Sequence, residues 1–320
     1  MKINAKQASD ILLDNDDFLI LTHISPDGDT LGSAFGLMKA LKLLNKTACV
    51  KCNDEIPPKY EFIMEGNCCD FEPKTIISVD IASPSLLGES LNKFADSIIL
   101  AIDHHEINTL NAKDIFIRPN AAASCELIYE VITNLGVKIN SDIANCLYLG
   151  ITTDTGCFKY SNVTANTHNV AAHLVECGAQ HAQINRVFFD TKTINQVKIE
   201  CEAYKNLEYY FEDRVALIGI SKELVEQTGA TESDLDAIST IPRSIEGVEI
   251  GVTITQKDET SHKISIRTNK YINASEICAK LGGGGHIRAA GCLIKEDMQT
   301  TKKLVLDVIK PYMSLIEDAN

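Results

Sequence analysis

Four near-continuous apolar runs mark the first half of the chain: FLILT at 18–22, TACVKC at 47–52, TIISVD at 75–80 and SIILAID at 97–103. Strands buried on both faces of a parallel sheet have this pattern, because helices cover both sides. After the first run a polar loop gives way to Ala34, Leu37, Met38, Leu41 and Leu44, whose spacing predicts a helix with one apolar face. Helices are also predicted over Ser124 to Leu135, Asp142 to Ile151, and roughly Asn166 to Cys177, the last stopping at Gly178. From about Ala182 to Tyr210 neither Gly nor Pro interrupts a polar stretch, which predicts one long connector helix. Beyond Arg214 the texture changes to VALIGIS, a helix-like SKELVEQTG, and alternating strands VEIGVTITQ and HKISIRTN. That alternation predicts a mixed sheet with one covered face. A helix (NASEICAKL), the glycine run GGGGHIRAAG, a strand (GCLIK) and a final helix close the chain. The expected class is α/β: a parallel-sheet domain over 1–181, a helical connector over 182–212, and a smaller mixed-sheet domain over 213–320.

Composition changes this picture little. The 320 residues suit two domains, and 45% hydrophobic with 23% charged is ordinary for a globular protein. MKINAKQASD has no apolar leader, and no stretch reaches the about 18 apolar residues of a membrane span, so the expectation is cytoplasmic with no membrane partner. The charge of −14 argues against a long nucleic-acid track, which needs many Lys and Arg. Small phosphate substrates stay compatible. Among eleven cysteines, Cys49 and Cys52 form a C-x-x-C, but on a strand that spacing points them to opposite faces, disfavouring zinc. Most of the thiols are expected to be reduced and partly buried.

The chemistry gathers where predicted elements end. His23, Asp27 and Asp29 share the loop HISPDGD, Asp80 closes TIISVD, the catalytic triplet Asp103, His104, His105 closes SIILAID, and Asp154 lies in TTDTG. Ligands of open α/β sheets bind outside the carboxyl ends of strands, so these groups should converge in one crevice. They supply enough carboxylate and imidazole for two divalent ions, which activate water and clamp both oxygens of a phosphoester displacement. With no thiolate in any cluster, harder ions are favoured, manganese above magnesium because of the imidazoles, and Asp103 fits an orienting role behind a ligand ring. The second motif is Gly282 to His286 with Arg288. Consecutive glycines can turn their N–H groups onto one anion as a nest, with His286, Arg288 and Arg267 as side-chain donors.

HISPDGDTLGS, SVDIA, DHH and TTDTGCFKYSNVT resemble, in order and spacing, the four motifs of the DHH phosphoesterase superfamily, and GGGGHIRAAG resembles the signature of the DHH-associated domain of RecJ-type nucleases. In size the chain is similar to the stand-alone bacterial oligoribonucleases that also dephosphorylate 3′-phosphoadenosine 5′-phosphate (pAp). The resemblance implies one metal on His23, Asp27 and Asp80 and a second on Asp29, Asp80, His104 and Asp154. It places His105 near the scissile phosphate and Asp103 behind the imidazoles, while Gly283, Gly284, Gly285, His286 and Arg267 hold the far end of the substrate. The cofactors it implies are two Mn²⁺, with Mg²⁺ or Co²⁺ as substitutes, and the substrates are short RNA, dinucleotides such as pApA, and pAp. Connector and resemblance point to a homodimer. Two alternatives stay open: a pyrophosphatase or exopolyphosphatase of the same superfamily, and a catalytically silent nucleotide-binding module.

Overall fold

The structure, a computed structural model, describes residues 1–317, apart from the side chains of Asp236, His286, Ile316 and Glu317. It divides into two compact units, Met1–Thr191 and Lys192–Asn320.

In the first unit the apolar runs become β1 (Phe18–Leu21), β2 (Ala48–Lys51), β3 (Thr75–Val79) and β4 (Ile98–Asp103), and a further strand, β5 (Asp114–Ile117), joins them. The five pair in parallel in the order β2-β1-β3-β4-β5. The chain leaves β1 toward one edge and returns at β3 to build toward the other, so the crevice for a ligand opens outside the ends of β1 and β3. The helices are α1 (Ala5–Asp14), α2 (Gly28–Leu43), α3 (Ser124–Asn134), α4 (Ser141–Asp154), α5 (Ala165–Glu176) and α6 (His181–Asn185). Neither α1 nor β5 is anticipated by the apolar pattern. The capping box of Asn4 and Gln7 starts α1, and residues 1–3 bond along β5, covering its edge.

The buried surface of α2 is wider than the one apolar face expected. Every residue from Gly28 to Met38 is buried, because α2 packs between the sheet and α4. Three glycines one turn apart make this possible: a Cβ on Gly32 would lie 2.3 Å from the Cys146 carbonyl oxygen, and one on Gly28 would lie 2.3 Å from Thr153 Oγ1. The close approach brings the start of α2 beside the end of α4.

The predicted connector helix is wrong as a single element. After α6 the chain makes a π-turn over Arg186–Asp190, breaks, and restarts at α7 (Ile194–Lys205), where the Thr193 hydroxyl accepts the Gln196 N–H. A Thr cap can open a helix without Gly or Pro. The end of the stretch is strand β6 (Leu207–Tyr210).

The second unit continues with β7 (Val215–Ile220), α8 (Lys222–Thr228), α9 (Glu232–Leu235), β8 (Ile250–Gln256), β9 (His262–Thr268), α10 (Ala274–Lys280), β10 (Gly284–His286), β11 (Ala289–Ile294), α11 (Met298–Ile309) and α12 (Met313–Glu317). The mixed sheet runs β10-β11-β9-β8-β7-β6, with β7 and β8 parallel and the other pairs antiparallel. One face holds Val252, Ile254, Ile264 and Ile266 against α10 and α11. The other face is not wholly bare as expected: Ile199 and Ala203 of α7 pack on Ile218 and Ile220. Ile238 and Ile241, after α9, extend that cover, and the Arg243 backbone lies against Gly251 of β8.

Nine cysteines are free, in line with the expectation for most of them, and two are not. Cys49 is joined to Cys69 as a disulfide, with Cα atoms 5.4 Å apart. The Asn67 side chain accepts from the Val50 N–H at 2.9 Å and donates to its carbonyl at 3.1 Å, drawing residues 67–69 along the sheet edge beside Cys49. No helix among the described residues is long and apolar enough to cross a membrane.

Candidate metal centre

The loop after β1 carries three of the predicted groups. Asp27 caps α2, its Oδ1 accepting the N–H groups of Asp29 (2.9 Å) and Thr30 (3.1 Å). His23 Nδ1 donates to the Ile24 carbonyl at 2.7 Å, which turns Nε2 toward Asp27 (3.7 Å) and Asp80 (3.6 Å). Asp80 follows β3 with φ 59°, a left-handed backbone unusual for a residue with a side chain and characteristic of strained functional positions.

His104 Nδ1 donates to the Ala121 carbonyl at 3.2 Å, while Nε2 lies 3.6 Å from Asp80, 3.4 Å from Asp154 and 3.9 Å from Asp29. Asp154 therefore arrives from the last turn of α4, a helix end and not a strand end. Asp103 is buried behind the site. It accepts from His105 Nδ1 at 2.7 Å and from Asn108 Nδ2 at 2.7 Å, so it positions one imidazole only; His104 leans on a carbonyl instead.

Three groups of donor atoms result, each with all members within 4.8 Å of one another: His23, Asp27, Asp80; Asp29, His104, Asp154; and Asp80, His104, His105. Asp80 belongs to two of them.

Crowded carboxylates distort the local acid–base chemistry. Burial, and then the neighbouring Asp80, push Asp29 up to about 7. Burial and Asp29 likewise hold Asp154 well above the usual carboxylate range. Burial opposes charge on the imidazoles, yet Asp27 and Asp80 outweigh it and take His23 to about 11, while Asp29, Asp80 and Asp154 take His104 to about 9. The site thus gathers protons to offset its negative charge, as a crowded set of acidic groups suited to cations does. Carboxylate and imidazole donors, with Nδ1 of His23 and of His104 held by carbonyls so that Nε2 faces the carboxylates, fit divalent ions of the manganese and magnesium class.

One functional residue, Ser124, escaped the sequence reading. The N-cap of α3 is Ala123, which has no capping side chain. Asp29 fills that role from α2, Oδ2 accepting the Ser124 N–H at 2.6 Å and Oδ1 the Cys125 N–H at 2.9 Å. Ser124 Oγ donates to Asp80 Oδ1 at 2.9 Å, so one buried serine holds a carboxylate from each of two donor groups. The visible signal was a helix starting AASCE with no cap of its own.

In the second unit the glycine run is not a nest. Gly284 to His286 form β10, an edge strand paired with Ala289 to Gly291, and Gly283 is packed so closely that a Cβ would lie 2.2 Å from the Gly291 carbonyl oxygen. Gly284, Gly285 and Arg267 do line one pocket of about 400 Å³, together with Thr253, Lys263 and Ser265. Arg288 is turned elsewhere, its guanidinium donating to the carbonyls of Ile272 (2.9 Å) and Lys270 (2.6 Å), where it holds the loop before α10. The side chain of His286 lies outside the described ones.

Fold and site together define a phosphoester hydrolase whose donor set suits divalent metal. The model of the DHH family, N-terminal domain, matches residues 17–151, and that of the DHHA1 domain matches residues 216–314. The chain is 31% identical over 305 residues to the "Bifunctional oligoribonuclease and PAP phosphatase NrnA" of Thermus thermophilus, covering 92% of this chain and 90% of the relative, and 25% identical over 285 residues to the protein of that name in Bacillus subtilis, covering 87% and 90%. This protein belongs to the DHH family and carries its DHHA1 domain. The same fold is seen in the crystal structure of an exopolyphosphatase-related protein from Bacteroides fragilis, with a TM-score of 0.90 at 23% identity over 98% of this chain and 97% of that one.

Proposed function

We propose that the protein hydrolyses short oligoribonucleotides and dinucleotides such as pApA to mononucleotides, and pAp to AMP, with two Mn²⁺ that Mg²⁺ or Co²⁺ can replace. The observation that carries this reading is Asp80, whose carboxylate lies 3.6 Å from Nε2 of His23 and 3.6 Å from Nε2 of His104, one imidazole from each proposed metal set. His23, Asp27 and Asp80 would hold one ion, and Asp29, Asp80, His104 and Asp154 the other. When bound, the ions supply an activated water and stabilise charge on the phosphoryl oxygens. The residues do the rest. Asp103 fixes the His105 ring and, against the opposing effect of burial, favours its protonated form, so His105 can donate to a phosphoryl oxygen. In the second unit Arg267, Gly284 and Gly285 would hold the nucleotide. The segments 1–181 and 213–320 are the proposed cutting and holding domains. The names of the relatives support the substrates, and a cytoplasmic homodimer belongs to the same proposal.

The test is an assay in Mn²⁺ over a length series of 5′-phosphorylated oligoribonucleotides, with pAp and inorganic pyrophosphate alongside. The expected result is turnover of the shortest RNAs and pAp with little of pyrophosphate. Preferential turnover of pyrophosphate would favour the pyrophosphatase reading, which the DHHA1 match speaks against, and binding without turnover would mark a silent module.

A further inference from the structure

On the α7 side of the second sheet, beyond Gly251, which the Arg243 backbone covers, polar side chains stand in register and line the pocket. Gly251, Thr253 and Thr255 of β8 stand opposite Arg267, Ser265 and Lys263 of β9, and on the far side of β9 Ser265 meets Gly291 of β11. Gly291 in turn pairs with Gly284. Bare backbone therefore adjoins the hydroxyl rung of Thr253 and Ser265, and a ligand can come down close upon it. The rung lies between two cations on the same face, each two residues from Ser265 along β9, or about 7 Å. The mouth also carries Glu232, which is paired with Lys257.

Thr253 is anomalous within this floor. It is 3% exposed, it lines the pocket, and its Oγ1 has no hydrogen-bond partner among the described residues. A buried hydroxyl without a partner is destabilising where valine would pack equally well, so the position makes sense if a ligand completes it. An anion belongs over the cations. What suits a hydroxyl set between them is an uncharged group that can both donate and accept.

We propose that Thr253, with Ser265, is a specificity-determining pair that reads the ribose 2′-hydroxyl of a nucleotide whose phosphates lie toward Arg267 and Lys263, so that the protein takes ribonucleotides over 2′-deoxyribonucleotides. The proposal rests on the reading of the substrate as a nucleotide, and deepens it.

The experiment is calorimetric titration of AMP and dAMP onto the full-length, metal-free protein and its Thr253→Val variant, with Tm recorded for both. Wild type should bind AMP about 5- to 10-fold tighter than dAMP, the worth of one good hydrogen bond. In the variant AMP should fall to the dAMP level, dAMP should be unchanged, and Tm should match or exceed wild type. Equal binding of the two nucleotides by wild type, an unchanged ratio in the variant, or equal weakening of both would overturn the proposal; the last would assign the hydroxyl to base or phosphate. Absence of pApA hydrolysis with the AMP preference intact would sink the catalytic reading and leave this one standing.

Discussion

The donor cluster of the first unit and the pocket of the second are built on opposite plans. In the first, Asp29, Asp80 and Asp103 are buried, and each is fixed by at least one neutral donor: the α3 amides, the Ser124 hydroxyl, or Asn108. In the second, the floor is one sheet face of small residues, and the charges stand on long side chains. Displacement at phosphorus tolerates little misplacement of reacting groups, so its residues need their own supports. Holding a substrate asks for access and charge instead. Lesions in the first unit should therefore strike turnover and metal affinity, and lesions in the second should strike KM.

Asp80→Asn breaks the comparison hardest. Asn tolerates the left-handed backbone at this position, so the fold should persist. Loss of the shared carboxylate should cut kcat by about 10³-fold or more, the scale on which a principal electrostatic contact acts. Near-normal kcat on pApA would remove the cluster from the chemistry.

Ser124→Ala comes next. The amide that holds Asp29 survives, whereas the hydroxyl bond to Asp80 is lost. Divalent affinity measured by titration should fall about 10- to 100-fold, as for other supports of metal ligands. A drop in Tm with unchanged affinity would show that the serine serves only packing.

Arg267→Ala tests the other plan. KM for pApA should rise about 10-fold with kcat unchanged, the sign of lost uniform binding. Equal losses in kcat would show that the two regions are less separate than their construction suggests.

Most of the first unit was legible because parallel strands buried on both sides leave unbroken apolar runs, and because Asp80 and Asp103 end two of them. Which nitrogen of each histidine faces the cluster was not legible, since carbonyls of Ile24 and Ala121 decide it and carbonyls have no residue identity. Ser124 was hidden for a related reason: it acts through an amide and a hydroxyl toward residues 95 and 44 positions away. The burial of α2 depends on glycines at 28, 32 and 36 that look permissive in sequence and act by close approach. In the second unit the glycine run suggested a nest, but pairing with β11 claims those backbones as a strand. Arg288 illustrates the same limit, because a guanidinium next to a motif can be spent on a neighbouring loop.

The smallest effect concerns pH, and it too separates the regions. In the metal-free protein Asp29 is raised from 3.8 to about 7, His104 from 6.5 to about 9 and His23 from 6.5 to about 11. All three bind protons more tightly folded than unfolded, so each favours the fold at low pH and loses that contribution as pH climbs through its folded value. Between pH 6.5 and 8.5 the groups that act at the cluster are those with raised values, Asp29, Asp154, His104, His105 and His23, all in the same direction, since the carboxylates with lowered values, such as Asp234 and Asp297, titrate well below this interval. Calorimetry in EDTA should show Tm falling by a few degrees across this interval, about 2–4 °C per kcal/mol for a unit of this size. Saturating Mn²⁺ should flatten the slope, because ligation needs neutral imidazole and ionised carboxylate and so releases the protons the cluster holds. The gain in Tm from Mn²⁺ should then be larger at pH 8.5 than at 6.5. A gain independent of pH would mean that the ion binds away from His23, His104 and Asp29.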